Sequence, residues 1–283
     1  MKILRLNWGK SAVLFSTVFT VLISLASTPP AKLAIVIDDI GYHQKEDSHI
    51  YAMPKEISVA IIPSAPHARQ RNEQAYQQGR DVLIHMPMQP LSQQPIESGG
   101  LHVGMHQQEV EQRVQTAKQI VSHAIGMNNH MGSAATSDSD LMTKLMQELK
   151  KQHLFFLDSR TIGRSVAGKI AKAHGVRSLD RHIFLDDKDT YADVTQQFQH
   201  AVNYAQKHGT AIAIGHPRKN TIAALQAGLK KLPSNVQLVG MGSLWRQEKV
   251  VPIKAFNLLF NDIPAPTSIL PYQAVPMLRG VPE

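Results

Sequence analysis

The sequence contains no cysteine. That excludes a disulfide framework, a thiolate nucleophile and any zinc centre built on sulfur. Aromatic residues make up only 6% of the chain, and no run of Lys or Arg interleaves with them, as a groove for single-stranded nucleic acid would require. No segment repeats at the roughly 20–50-residue period of a solenoid. No Gly-rich phosphate loop is present either, which weighs against a phosphoester substrate. The formal net charge is +8, and without Lys2, Arg5 and Lys10 near the amino terminus the excess is +5. Such a mild excess does not point to nucleic acid.

The first residues carry a compartment signal. Lys2, Arg5 and Lys10 precede an almost wholly apolar stretch from Ala12 to Leu25, and Ser24-Leu25-Ala26 supplies the small residues of a signal-peptidase site. The stretch is shorter than the ~20 residues that a membrane-spanning helix prefers. Residues 1–26 read as a signal peptide and 27–31 as a linker. An uncleaved anchor is the alternative, and either reading makes the protein periplasmic or otherwise exported. Membrane contact is expected only through this segment. The sequence does not indicate an oligomeric state.

Beyond Pro29-Pro30, short apolar runs alternate with amphipathic stretches. Strands are predicted over 33–37, 57–62, 81–85, 126–130, 154–157, 183–185, 211–214 and 236–239. Helices are predicted over 67–78, 107–125, 139–149, 166–174, 190–208 and 222–229, the first of them largely polar and the 107–125 segment carrying one apolar stripe. Runs apolar on both faces are typical of buried parallel strands, so the alternation implies an α/β domain over residues 32–245 with a parallel sheet, open or closed into a barrel. From about Arg246 the pattern fades into a Pro-rich tail, 246–283.

Parallel α/β folds gather their active sites at the carboxyl ends of the strands. Those ends here carry Asp38-Asp39, His85, His130, Asp158, Asp186 and His216. Carboxylates and imidazoles without thiolates suit a zinc-like divalent ion held by oxygen and nitrogen. Plainer roles compete at each position. Adjacent Asp residues after a strand also form turns or helix caps. His85, between Ile84 and Met86, also suits a hydrogen-bonded core. Asp158 and Asp186 also suit the orientation of an arginine such as Arg160 or Arg181.

Three segments resemble a known family. Ile35-Val36-Ile37-Asp38-Asp39-Ile40-Gly41 resembles the first motif of carbohydrate esterase family 4, the polysaccharide deacetylases. Leu83-Ile84-His85-Met86-Pro87-Met88-Gln89-Pro90 and Asn128-Asn129-His130-Met131-Gly132-Ser133 are similar to signatures of its divergent branch. The resemblance implies a distorted (β/α) barrel of about seven parallel strands with a divalent metal, zinc foremost, at its mouth, acting on an acetylated glycan. Carried over, Asp38 is the base, Asp39 a metal ligand and His216 the general acid.

One departure stands out. The main family takes two metal histidines four residues apart, and here Ala134 stands where His130 would have its partner. We expect His85 to fill that place, with Asp158, Arg160 and Asp186 in supporting positions. Asp158-Ser159-Arg160 does not match the family's corresponding Arg-Pro-Pro segment. The alternative is a catalytically silent barrel that binds glycan or an envelope-assembly partner.

Overall fold

The structure, a computed structural model, describes residues 29–248. The expected leader and nearly all of the Pro-rich tail lie outside the described residues. The strands are β1 (Ala31–Ile40), β2 (Ser58–Ile61), β3 (Val82–Met88), β4 (Gly126–Met131), β5 (Phe155–Asp158), β6 (Ser178–Asp180), β7 (Ile183–Phe184), β8 (Thr210–Gly215) and β9 (Val236–Leu238). The helices are α1 (Gln44–Tyr51), α2 (Ala68–Gln77), α3 (Gln107–Ile120), α4 (Ser139–Lys151), α5 (Ala167–His174), α6 (Tyr191–His208), α7 (Lys219–Leu229) and α8 (Met241–Arg246).

Every ladder between these strands is parallel. The sheet runs β6-β5-β4-β3-β2-β1-β8-β7, with β9 added to β1. Its two ends are consecutive pieces of one chain segment. The first half of that segment pairs with β5, and the second half pairs with β8. Counted as one staggered strand, they complete a curled circuit of seven, with β9 outside it. This is a distorted (β/α) barrel, as the alternation and the resemblance lead one to expect.

Alternation along each strand sorts side chains into two cores. On β1, Leu33, Ile35 and Ile37 pack outward under the helices, while Ala34 and Val36 face inward with Ala60, Leu83, Leu157, Ile212 and Ile214. Small and branched residues suit the narrow interior of a small barrel. The amino end of that interior is closed by α8, whose Met241, Leu244 and Trp245 belong to the inner core. Trp245 stacks on Phe155 with centroids 4.9 Å apart. A Cβ on Gly126 would lie 2.5 Å from the Trp245 ring, so only glycine leaves room for this plug.

Two helices differ from expectation. α1 has no apolar stripe to announce it because part of its buried face is ionic: Asp47 is fully buried and pairs with Arg71 Nε at 3.2 Å. α8 is short, and its apolar residues fill the barrel rather than one face of a layer. The 107–125 stretch is helical only to Ile120, although Val121 and Ala124 remain buried. Apolar spacing there continues past the end of the helix.

Candidate metal centre

The inward rows continue past the apolar core to the carboxyl rim. On β1 the row Ala34, Val36 reaches Asp38. On β3 Leu83 is followed by His85, and β8 runs Ile212, Ile214, then His216. On β4 the row is Gly126, Asn128, His130, and His85 stands directly beside Asn128 in the ladder. The same alternation that packs the barrel therefore aims these polar groups into its mouth.

Asp39 breaks that rule. Neighbours on a regular strand point to opposite faces, yet both acids meet His85: Asp38 Oδ2 is 3.5 Å and Asp39 Oδ1 3.2 Å from its Nε2. The register of β1 slips between Ile37 and Ile40, and Asp39 adopts φ 56°. A bulge with a left-handed residue re-aims a side chain in this way, and Asp tolerates that conformation better than most residues. Gly41, at φ 116°, completes the turn, and its N–H donates to the buried Asp47 carboxylate at 3.1 Å. The α1 ion pair thus anchors the bulge.

Three candidate donor atoms form a near-equilateral triangle. Asp39 Oδ1 lies 3.2 Å from His85 Nε2 and 3.0 Å from His130 Nδ1, and the two ring nitrogens are 3.1 Å apart. A tetrahedral ion with zinc-like bond lengths would separate its ligands by about 3.3 Å. Despite these short distances, Asp39 Oδ1 is buried without a hydrogen bond of acceptable geometry from the described residues. An orphaned buried carboxylate oxygen at the centre of converging nitrogens is what a cation would satisfy. The residues present fit a divalent ion.

The surrounding groups fix orientation. Asn128 Nδ2 donates to Asp38 Oδ1 at 2.9 Å, so its Oδ1 accepts from His85 Nδ1 at 2.9 Å. That leaves the lone pair of His85 on Nε2, toward the triangle. Asn128 Nδ2 also reaches Ser159 Oγ at 3.2 Å. On the opposite wall, His216 Nδ1 donates to Asp186 Oδ1 at 2.9 Å. Asp186 also accepts from the His216 N–H and from Thr221 Oγ, each at 2.7 Å. His216 Nε2 then faces the mouth, 3.8 Å from Asp39 Oδ2.

These environments separate the charges. Burial pushes the Asp38 carboxyl up, and the opposing pull of His85 and His216 does not cancel it. Burial also acts on Asp39, but the imidazoles of His130 and His85 outweigh it and hold that carboxyl far below the usual range. His85 is pulled down by burial and pushed up more strongly by Asp38 and Asp39, to about 9. His216 is raised in the same manner, chiefly by Asp186 against burial. Neighbouring groups pushed apart in this way are matched to opposite halves of an acid–base pair.

Asp158 and Arg160 stand elsewhere. Asp158 lies on the outward row of β5, accepting from the Arg160 N–H at 2.7 Å and Ser165 Oγ at 2.6 Å. The Arg160 guanidinium approaches the carboxylates of Asp158 and Asp180, both at 3.9 Å, and donates to the Gly163 carbonyl at 3.4 Å. Among the described residues, neither bonds to the acids or imidazoles of the triangle; they hold the turn after β5. Sequence reasoning missed Asn128, which row parity would have shown, and Glu97, which it would not. Glu97 comes from the long loop after β3, and its Oε1 lies 3.4 Å from His130 Nε2.

A cleft of about 520 Å³ opens over this centre, with Asp39, His130 and His216 on its floor and Tyr42, Glu97 and Arg218 among its walls. It is the size of a small-ligand site.

Known proteins point the same way. An uncharacterized protein of Haemophilus influenzae is 65% identical over 283 residues, the whole of both chains. The uncharacterized protein YibQ of Escherichia coli is 44% identical over 233 residues, 82% of this chain and 73% of its own. A crystal structure of an uncharacterized protein from Agrobacterium tumefaciens superposes with a TM-score of 0.70 at 21% identity, over 77% of this chain and 91% of that one. The profile of the divergent polysaccharide deacetylases matches residues 35–245. With the barrel, the paired acids and both divergent signatures in place, the chain belongs to the divergent polysaccharide deacetylase family.

Proposed function

We propose that the protein is a divalent-metal-dependent hydrolase that removes acetyl groups from a cell-envelope glycan, working outside the cytoplasmic membrane behind an amino-terminal export segment. One observation carries the reading: the Asp39–His85–His130 triangle of donor atoms within 3.2 Å of one another, with Asp38 beside it. His85, from a different strand, takes the place that Ala134 leaves empty in the family pattern. Two nitrogens and one oxygen without sulfur favour zinc.

Asp39, His85 and His130 would hold a divalent ion, which would supply the Lewis acidity that makes water nucleophilic at neutral pH and stabilises charge on the acetyl carbonyl oxygen. Asp38 has Oδ1 tied to Asn128, leaving Oδ2 on the triangle side to accept a proton from the attacking water. His216, raised in basicity and anchored through Nδ1 by Asp186, presents Nε2–H to the cleft. It delivers that proton to the departing amine or alcohol. The cleft walls position the sugar and limit the access of bulk water.

Metal analysis of the purified protein, paired with acetate release from acetylated glycans, tests this. Stoichiometric metal and metal-dependent acetate are expected. Acetate release undiminished by Asp38→Asn would overturn the mechanism. The silent-barrel reading predicts instead that glycan binding, without acetate release, survives loss of Asp39 and His85.

A further inference from the structure

Each imidazole of the centre needs its remote ring nitrogen held if the near one is to face the cleft. Asn128 does this for His85, and Asp186 for His216. Among the described residues, His130 has no such partner on a strand. Its Nδ1 belongs to the triangle, and the group nearest its Nε2 among its ion-pair contacts is Glu97 Oε1, at 3.4 Å. Glu97 Oε2 is buried and receives no hydrogen bond from the described residues. The other oxygen, Oε1, meets His130 Nε2 at an ion-pair distance longer than a strong hydrogen bond, so this carboxylate keeps acceptor capacity beside an imidazole that can donate.

The loop that carries Glu97 is built to keep it there. Leu101 is fully buried and rejoins β3: its N–H donates to the Pro87 carbonyl at 2.8 Å, and the Gln89 N–H donates to the Leu101 carbonyl at 2.9 Å. The Gln89 side chain accepts from the Val103 N–H at 2.8 Å. Its backbone carbonyl accepts from the Ala134 and Ala135 N–H groups, each at 3.1 Å. A Cβ on Gly100 would meet Ile96 at 2.4 Å and the Pro87 carbonyl at 3.0 Å. The strap is therefore pinned to the ends of both β3 and β4, on either side of the residue that sits against His130.

We propose that Glu97 is a positioning residue for the metal centre, accepting from His130 Nε2–H and so holding the Nδ1 lone pair toward the ion. This rests on the metal-binding reading of the previous section. A cation on Nδ1 makes Nε2–H a stronger donor, so ion binding tightens the contact with Glu97 and is in turn strengthened by it. Glu97 would act on the ion through His130. The strap thereby makes the divergent loop after β3 part of the centre, although its sequence carries no ligand.

The test is zinc affinity by chelator competition, with no glycan present, for wild type, Glu97→Ala and Glu97→Gln. Removing such a partner costs roughly 10–100-fold in affinity, so Glu97→Ala is expected to fall in that range. Glu97→Gln retains an acceptor and recovers part of the loss, and the melting temperature of the metal-free protein stays the same in both variants. Nitrogen NMR of the imidazoles adds a signature that a merely structural role would not move. Wild-type His130 carries its proton on Nε2 when neutral, and Glu97→Ala gives a mixture of tautomers. Equal zinc affinity in all three proteins, or a loss matched by a lower metal-free melting temperature, overturns the role of Glu97 while leaving the centre intact. Wild type that takes up no zinc overturns the centre as well.

Discussion

The two ends of this barrel use the same strands for opposite purposes. At the amino end, Ala34, Leu83, Leu157 and Ile212 meet the α8 plug of Met241, Leu244 and Trp245. A few residues further along, the inward rows hold Asp38, His85, His130 and His216 under an open cleft of about 520 Å³. One end gains free energy from burial. The other spends some of it holding charges in a desolvated mouth, and holds Asp39 at φ 56° to do so. Stability and chemistry are thus stacked along single strands, two residues apart, so a substitution can affect one with little effect on the other.

That separation can be broken or sharpened experimentally. The largest effect is expected from Asp39→Asn, which leaves the bulge a residue that tolerates it but removes the anionic ligand. Metal analysis should show stoichiometric binding lost, with no fall in the metal-free melting temperature. Asp38→Asn should keep the metal and lower the rate of acetate release by ~10²–10⁴-fold, the usual worth of a general base. If it also loses the metal, Asp38 is a ligand and the two acids have been assigned the wrong way round.

At the other end, Trp245→Ala should cost ~3–5 kcal/mol in denaturant unfolding, while the folded fraction keeps wild-type zinc affinity. A proportional loss of affinity would mean that the plug and the rim are coupled through the barrel. Gly126→Ala places a methyl group against the same ring, 2.5 Å from its nearest carbon. It should cost less, ~1–3 kcal/mol, by overpacking.

Taken per pH unit, the smallest effect is a pH dependence. Without metal, His85 titrates at about 9, because the carboxylates of Asp38 and Asp39 outweigh its burial. Below that pH an incoming ion must displace the His85 proton, so affinity falls as pH falls and rises toward pH 9. For one displaced proton the slope is at most about tenfold per pH unit. A flat profile between pH 6 and 8 would show that His85 does not ligate.

How much of this was legible in advance follows from the range of the interactions. The parallel strands from β1 to β5, and β7 to β9, were readable because a buried strand writes its apolar run locally, whereas the short, half-exposed β6 was not; the acids and histidines at the strand ends were readable as terminations of those runs. Asp158 was visible for the same reason, but its parity on β5 turns it outward, and counting two residues on from Phe156, which packs beneath the helices, would have shown this. α1 was not legible, since an ion pair between Asp47 and Arg71 replaces part of the apolar stripe by which helices are recognised.

By itself, the order of residues determined an alternating α/β chain with polar groups at its strand ends, because alternation and strand termination are local properties of the backbone. Only the tertiary structure decided which of those groups meet. It took a bulge to turn Asp39 to the same side as Asp38, a shared ladder to set His85 beside Asn128, and a strap pinned across two strands to bring Glu97 to His130. Those encounters join positions tens of residues apart, and no local pattern encodes the distance between side chains that only chain closure brings together.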